Sequence, residues 1–267
     1  MPRKVDIVCD VGGTNMRVAI SVVGGGLSSP IIIPTPQDPK KGIAKLIELA
    51  RLLAIDATIE SLAIGFPGLQ NEHGELYDTT NLPQWGGVKL AYELQSALQV
   101  PVRVENDALL AGLGEARAGA GRNHPVVGYI TVSTGVGGGR IANGKIDPHP
   151  YIIGHQRIGD SELEDMISGT AVRKIFHCEP RELQPDKRQM LADVLAAGLF
   201  YAYTHWRPDV FILGGAMMLG KNQIPIDRVR KKFMEYVPRV TPSVQLAELG
   251  DMSGLHGARV LAQQPVL

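Results

Sequence analysis

Apolar positions along the chain switch repeatedly between a period of two and a helical period. Residues 4–9 read as a short strand that runs into a tight turn at Asp10-Val11-Gly12-Gly13-Thr14-Asn15. Residues 16–23 predict a second strand, closed by Gly24-Gly25-Gly26, and residues 31–33 a third. Ile43, Leu46, Ile47, Leu49 and Leu53 then share one face of a helix over residues 40–53. A strand at 62–64 ends in Gly65-Phe66-Pro67-Gly68. A helix at 89–98, a strand at 100–104 and an Ala/Leu-rich helix at 107–118 follow.

The pattern then restarts. Strands are expected at 126–131 and 139–142, and Asn143-Gly144 is a strong hairpin signal before Lys145-Ile146. A long helix at 187–205, a strand at 210–213, a helix at 226–236, a strand at 244–247 and a helix from Gly254 complete it. A βββαβαβα unit therefore occurs twice, which predicts an α/β protein of two packed halves. The expected division is residues 1–105 plus 252–267 as a smaller domain and 106–251 as a larger one.

Composition narrows the function. Twenty-seven basic and 27 acidic residues cancel, which removes the broad positive footprint of a nucleic-acid binder. No apolar run approaches the length of a membrane span, so no membrane partner is expected. Cys9 and Cys178 form no CxxC pair, and a reducing, cytoplasmic setting is expected. Glycine, 31 of 267 residues, is enriched and clustered at strand ends.

Two of these clusters open the two halves: Gly12-Gly13-Thr14-Asn15 after Asp10, and Ser133-Thr134-Gly135-Val136-Gly137-Gly138-Gly139. Without a Cβ, successive backbone N–H groups can approach an anion and cradle a phosphate, and Thr and Asn add donors. Asp10 would repel phosphate directly, so a Mg²⁺ or water-bridged role suits it. Neither loop is a GxxxxGK[ST] P-loop, and neither is a full GxGxxG dinucleotide turn. The plainer reading is two hairpin turns with glycines at positive φ. A third cluster, Gly214-Gly215 after an apolar strand, suits backbone approach to adenosine or a simple strand-to-helix turn.

Glu105-Asn106-Asp107 sits between a strand and a helix. One reading is helix capping by Asn or Asp, with the carboxylate stabilised by the helix dipole; for a base, the same dipole is expected to lower the pKa and keep the group ionised at pH 7. The other is a general base that accepts a proton from a sugar hydroxyl, with Asn106 on a neighbouring hydroxyl. In phosphoryl transfer such a group chiefly orients the nucleophile.

Seven motifs in order carry a resemblance: Asp10-Val11-Gly12-Gly13-Thr14-Asn15, Gly65-Phe66-Pro67-Gly68, Asn81-Leu82-Pro83-Gln84-Trp85, Glu105-Asn106-Asp107, Thr134-Gly135-Val136-Gly137-Gly138-Gly139, Gly154-His155 and Leu213-Gly214-Gly215. The chain resembles the ROK family of repressors, open reading frames and sugar kinases. The resemblance implies the two-domain actin-like (ribonuclease H-like) ATPase fold, with the duplicated units around a central cleft. It implies an ATP-dependent hexose kinase using ATP with Mg²⁺, phosphorylating a hexose or N-acetylhexosamine at the 6-hydroxyl, and a homodimer. Asp107 corresponds to the catalytic base. Gly65, Asn81, Asn106, His155 and Glu164 correspond to the sugar pocket. Asp10, Gly12, Gly13, Thr14, Asn15, Thr134 and Gly135 correspond to the phosphate loops, and Gly214 and Gly215 to the adenosine motif.

Two departures stand out. Ile152 occupies the place of the glutamate in the family's Glu-x-Gly-His, which puts an apolar group where sugar hydroxyls are clamped. The family's cysteine-rich zinc segment is missing, so no structural zinc is expected. A catalytically degenerate sugar- or nucleotide-binding member of the family is the alternative that Ile152 supports. A DNA-binding regulator would need a preceding helix-turn-helix, for which no room is expected before the strand at Lys4. Of the remaining residues, His177-Cys178 reads as an ordinary pair. Arg228, Arg230, Lys231 and Lys232 read as a solvated face, and Trp85 either stacks near sugar or fills the core.

Overall fold

In a computed structural model of the chain, the described residues are 2–22, 24–148, 151–238 and 242–264. The first part of the chain runs β1 (Arg3–Val11), β2 (Asn15–Val22), β3 (Ile31–Pro34), α1 (Pro39–Leu53), β4 (Ala57–Phe66), β5 (Leu69–Gln70), β6 (Leu76–Tyr77), α2 (Leu90–Leu98), β7 (Val102–Asn106) and α3 (Asp107–Ala118). The second runs β8 (Val126–Val132), β9 (Val136–Ala142), β10 (Lys145–Ile146), β11 (Arg157–Ile158), β12 (Ser161–Glu162), α4 (Leu163–Ile167), α5 (Gly169–Phe176), α6 (Pro185–Trp206), β13 (Val210–Gly214), α7 (Ala216–Leu219), α8 (Ile226–Tyr236), β14 (Ser243–Leu246) and α9 (Ser253–Gln263). The repeated βββαβαβα order is present. The expected end of the second strand at Val23 lies outside the described residues.

Two compact units result: Met1–Gly114 with Met252–Leu267, and Glu115–Asp251. The dividing line falls inside α3, whereas the sequence expectation set it before Asn106. Asn106 and Asp107 therefore belong with the first unit. Each unit holds one five-stranded mixed sheet, ordered β3-β2-β1-β4-β7 in the first and β10-β9-β8-β13-β14 in the second. The two orders are equivalent strand for strand, the tertiary form of the duplication.

In the first unit β1 is central, and Val5, Ile7, Val8 and Cys9 are fully buried, as a strand covered on both faces requires. α1 starts at Asp38, whose carboxylate accepts from the Lys40 N–H at 2.9 Å, with Pro39 in the first turn. Trp85 is core: it is fully buried, 5.1 Å from the Phe66 ring, and donates its Nε1–H to the Pro36 carbonyl at 3.2 Å. α9 returns to pack on β1 and β4. It crosses α3 closely, because a Cβ on Gly114 would strike the Ser253 carbonyl and one on Gly257 the Leu110 carbonyl.

In the second unit α6 buries Leu191, Leu195, Leu199, Ala202 and Trp206, and packs on α8 and α4. The basic run on α8 is a paired, solvated face: Arg228 grips Asp193 with two bonds at 2.6 and 2.7 Å, Arg230 meets Asp227, and Lys232 meets Glu235. Asn143 and Gly144, at φ 51° and 70°, form the expected β9–β10 turn. β9 starts at Val136, three residues before the expected start at Gly139, so Gly137 and Gly138 are strand residues and not part of the expected loop. Gly138 is required there because a side chain would strike the Tyr129 carbonyl on β8. The short hairpins β5–β6 and β11–β12 and the helix α4 were not expected.

Candidate active site

In the first unit three parallel neighbours, β1, β4 and β7, end side by side, with Asp10 opposite Gly65 and Gly65 opposite Glu105. The carboxyl ends of parallel strands are where α/β sheets bind ligands. Asp10 is largely enclosed, 3.7 Å from the Arg17 guanidinium, and Gly254 on α9 leaves room for its carboxylate. The position a Cβ on Gly65 would take lies 3.4 Å from the Asp107 Cα and 3.5 Å from the Asp10 Oδ1. Asp10, Gly65 and Asp107 are thus neighbours through the strand register.

Asn106 caps α3. Its Oδ1 accepts from the Ala108 and Leu109 N–H groups at 3.0 and 3.2 Å, and its Nδ2 donates to the Gly68 carbonyl at 3.2 Å. One Nδ2 hydrogen remains beyond these bonds. Asp107 follows as the first helical residue, and its Oδ1 accepts from the Ala108 N–H at 2.8 Å. Protein atoms crowd its side chain, which keeps only a partial opening to solvent. Burial pushes the Asp107 carboxyl up to about 6, against the opposing pull of the Ala108 N–H. The sequence expectation that the helix start lowers this pKa is therefore corrected: desolvation outweighs the dipole. A carboxyl near 6 is still mostly ionised at pH 7. Glu105 is raised too, by burial, although its Oε1 accepts from the Asn106 N–H.

The turn between β1 and β2 closes with the Gly12 N–H on the Asn15 carbonyl at 2.9 Å. Thr35 braces it: its hydroxyl donates to the Gly12 carbonyl at 2.7 Å and its N–H to the Thr14 carbonyl at 2.8 Å. Asn81 is exposed and packs against Gly13, where a Cβ would stand 3.0 Å from the Asn81 Cβ. Neither Gly12 nor Gly13 has positive φ, so these glycines serve close approach rather than a left-handed backbone.

In the second unit the corresponding turn is Ser133-Thr134-Gly135. The Ser133 N–H donates to the Gly135 carbonyl at 2.8 Å. The start of α5 braces it: the Gly169 N–H reaches the Ser133 carbonyl at 2.7 Å and the Thr170 hydroxyl the Thr134 carbonyl at 2.9 Å. The Val136 N–H donates to the Glu164 Oε2 at 2.6 Å, and a Cβ on Gly135 would stand 2.6 Å from that oxygen. Among the described residues the N–H groups of Gly13, Thr14, Thr134 and Gly135 have no protein acceptor, which suits an anion.

His155 ends a 3-10 turn (Ile153–His155) that packs on β9, because a side chain on Gly154 would strike the Val136 carbonyl. Its Nδ1 lies 2.8 Å from the Glu162 Oε2. His155, Glu164, Thr134 and Gly135 thus gather around the start of β9. Gly214 and Gly215 lie at the end of β13, beside the end of β8. Side chains there would strike the Tyr129 hydroxyl, the Val132 carbonyl and the Thr131 hydroxyl, and Gly215 has φ 87°. Strand-to-helix packing by itself requires both glycines. Ile152 is half-exposed.

Sequence reasoning missed the braces Thr35 and Thr170 and the partner Glu162. The Ser168-Gly169-Thr170 sequence was the one available signal, since Ser168 caps α5 through the Ala171 N–H. Among the described residues no group of three or more His, Cys, Asp or Glu side chains is placed to hold a metal ion. A Mg²⁺ carried in on phosphate oxygens needs only one or two protein carboxylates, and Asp10 fits that donor set.

The sequence profile of the ROK family matches residues 7–265. A glucokinase of Streptomyces coelicolor is 26% identical, over 96% of this chain and 96% of its own. An N-acetyl-D-glucosamine kinase of Pectobacterium atrosepticum is 28% identical, over 94% of this chain and 97% of its own. Among solved structures, a ROK family glucokinase from Streptomyces griseus, in complex with glucose and AMPPNP, superposes with a TM-score of 0.80. It is 25% identical and the match covers 98% of this chain and 100% of that one.

Proposed function

The chain belongs to the ROK family and has the actin-like ATPase fold of its kinases, and on that premise we propose that it is an ATP-dependent sugar kinase acting on a hexose or N-acetylhexosamine. The observation that carries the reading is Asp107. It stands at the carboxyl end of a parallel strand, beside Asp10 across Gly65, with a carboxyl tuned to about 6. A group with that pKa is ionised at pH 7 and still basic enough to share a hydroxyl proton.

In the reaction Asp107 takes the proton of the attacking sugar hydroxyl, by analogy the 6-hydroxyl. The hydroxyl oxygen bonds to the γ-phosphorus as the bond to the ADP oxygen breaks. The Gly12–Asn15 and Thr134-Gly135 turns offer their N–H groups to phosphate oxygens, and Asp10 serves the Mg²⁺ that accompanies ATP. Gly214 and Gly215 serve the adenosine end. Gly65, Asn81, Asn106, His155 and Glu164 serve the sugar, Asn106 through its remaining Nδ2 hydrogen. ATP as donor puts the reaction in the cytoplasm, and the family resemblance favours a homodimer.

The deciding experiment is ADP release from Mg-ATP across glucose, fructose, mannose, N-acetylglucosamine and N-acetylmannosamine, with Asp107→Asn as the control. Sugar-dependent release that vanishes in the variant supports the kinase. Tight ATP binding without release for any sugar supports the second reading, a degenerate binding protein. Two observations favour that second reading: the apolar Ile152 and the engagement of Glu164 with the Val136 N–H. In that case Ile152→Glu is the variant to test for regained turnover.

A further inference from the structure

The imidazole of His155 is held from behind. The hairpin β11–β12 turns at Gly159 (φ 64°) and brings Glu162 back beside the 3-10 turn that carries His155. The Leu163 N–H closes the hairpin on the Gln156 carbonyl at 2.8 Å, and Arg157 donates to the Asp160 carbonyl at 3.0 Å. These backbone and turn contacts keep the hairpin shut without the His155–Glu162 pair. Both members of that pair are about half exposed, at 55% and 41%, so it adds little to stability. Its effect is chemical. A carboxylate 2.8 Å from Nδ1 requires the proton to sit on Nδ1, which puts the lone pair of the neutral ring on Nε2.

We propose that Glu162 is a positioning residue that fixes both the orientation and the tautomer of His155, so that Nε2 accepts a hydrogen bond from a substrate hydroxyl. A carboxylate behind a histidine is a general device for setting which ring nitrogen faces forward. The backbone under the ring is fixed too, since Gly154 is wedged against the Val136 carbonyl. The inference deepens the kinase reading and rests on His155 serving the sugar. It specifies the chemistry at that point: the substrate presents a hydroxyl as donor, and an analogue lacking or methylating that hydroxyl binds more weakly.

Two measurements test it. The first is ¹⁵N NMR of the imidazoles at pH 8, with the His155 signals assigned by their loss in His155→Ala. Wild type is expected to carry the proton on Nδ1, and Glu162→Ala to shift it towards Nε2. An unchanged His155 spectrum overturns the proposal. The second is steady-state kinetics. Losing one oriented hydrogen bond predicts a sugar KM raised about tenfold in Glu162→Ala, with kcat and the ATP KM within about twofold. Glu162→Gln, whose amide oxygen can accept from Nδ1, is expected to recover most of the loss. Adding Glu162→Ala to His155→Ala is expected to change nothing further. A wild-type sugar KM in Glu162→Ala, or additive effects in the double variant, overturns the proposal. If the wild-type protein turns over no sugar, the kinase reading and the sugar-recognition part fail together. The NMR result then still decides whether Glu162 sets the ring.

Discussion

Gly65 lies directly against Asp107: a Cβ on Gly65 would stand 3.4 Å from the Asp107 Cα. The same point is 3.3 Å from the Leu110 Cδ1 and 3.5 Å from the Asp10 Oδ1. In Gly65→Ala the methyl is accommodated by the flexible end of Leu110, at a cost of about 1 kcal/mol. The added methyl stands against the Asp107 Cα, and the extra desolvation there raises the carboxyl further. The acid limb of the kcat/KM profile is therefore expected to move above 6. A limb that stays in place would show that Gly65 is a strand residue without influence on the base.

Asp107 predicts a paired pH signature. Its protonation below about 6 removes the base, so sugar-dependent kcat/KM is expected to fall as pH drops through that value. Stability runs the other way. The folded pKa lies above the unfolded value of 3.8, so the contribution is favourable below 3.8 and is lost as pH rises through 6. Asp107→Asn escapes that loss. It is expected to be the more stable protein at pH 7–8, by on the order of 2 kcal/mol, and inactive. Urea denaturation at pH 4 and pH 8 checks this, since most of the advantage should be gone at the lower pH.

Glu164 has two competing roles that kinetics can separate. Its Oε2 accepts from the Val136 N–H at 2.6 Å, directly behind the Thr134-Gly135 turn. Glu164→Ala leaves that N–H unpaired, which costs about 1–3 kcal/mol and loosens the turn. The ATP KM is then expected to rise several-fold. A rise confined to the sugar KM would instead support the sugar-binding role that the family resemblance assigns.

Glu115 is fully buried, and its carboxylate accepts N–H groups from Ala120, Glu248 and Leu249 at 3.0, 3.1 and 2.9 Å. It ties the end of α3 to the segment after β14. Glu115→Ala orphans three donors and is expected to cost on the order of 3 kcal/mol. Glu115→Gln keeps one acceptor oxygen and should cost less. A urea midpoint equal to wild type in the alanine variant would mean that water replaces the carboxylate.

The alternation of strand and helix, its repetition and the Asn143-Gly144 turn were legible in the sequence. Each is encoded by neighbours within a few residues, through side-chain period and backbone preference. The order of the site motifs was legible for the same reason, since Asn106-Asp107 both caps a helix and marks the candidate base. Hairpins of two-residue strands, such as β11–β12, carry too few positions to show a period. What the side chains at the site do was settled only by tertiary structure. Burial, to which β4 contributes at Gly65, reverses the expected direction of the Asp107 shift. Glu164 meets Val136 across 28 residues, and Glu115 meets Leu249 across 134. Hydrogen-bond partners and desolvation are properties of the packed chain. Local pattern places a carboxylate on an element, but packing decides which N–H group it faces and how much water it keeps.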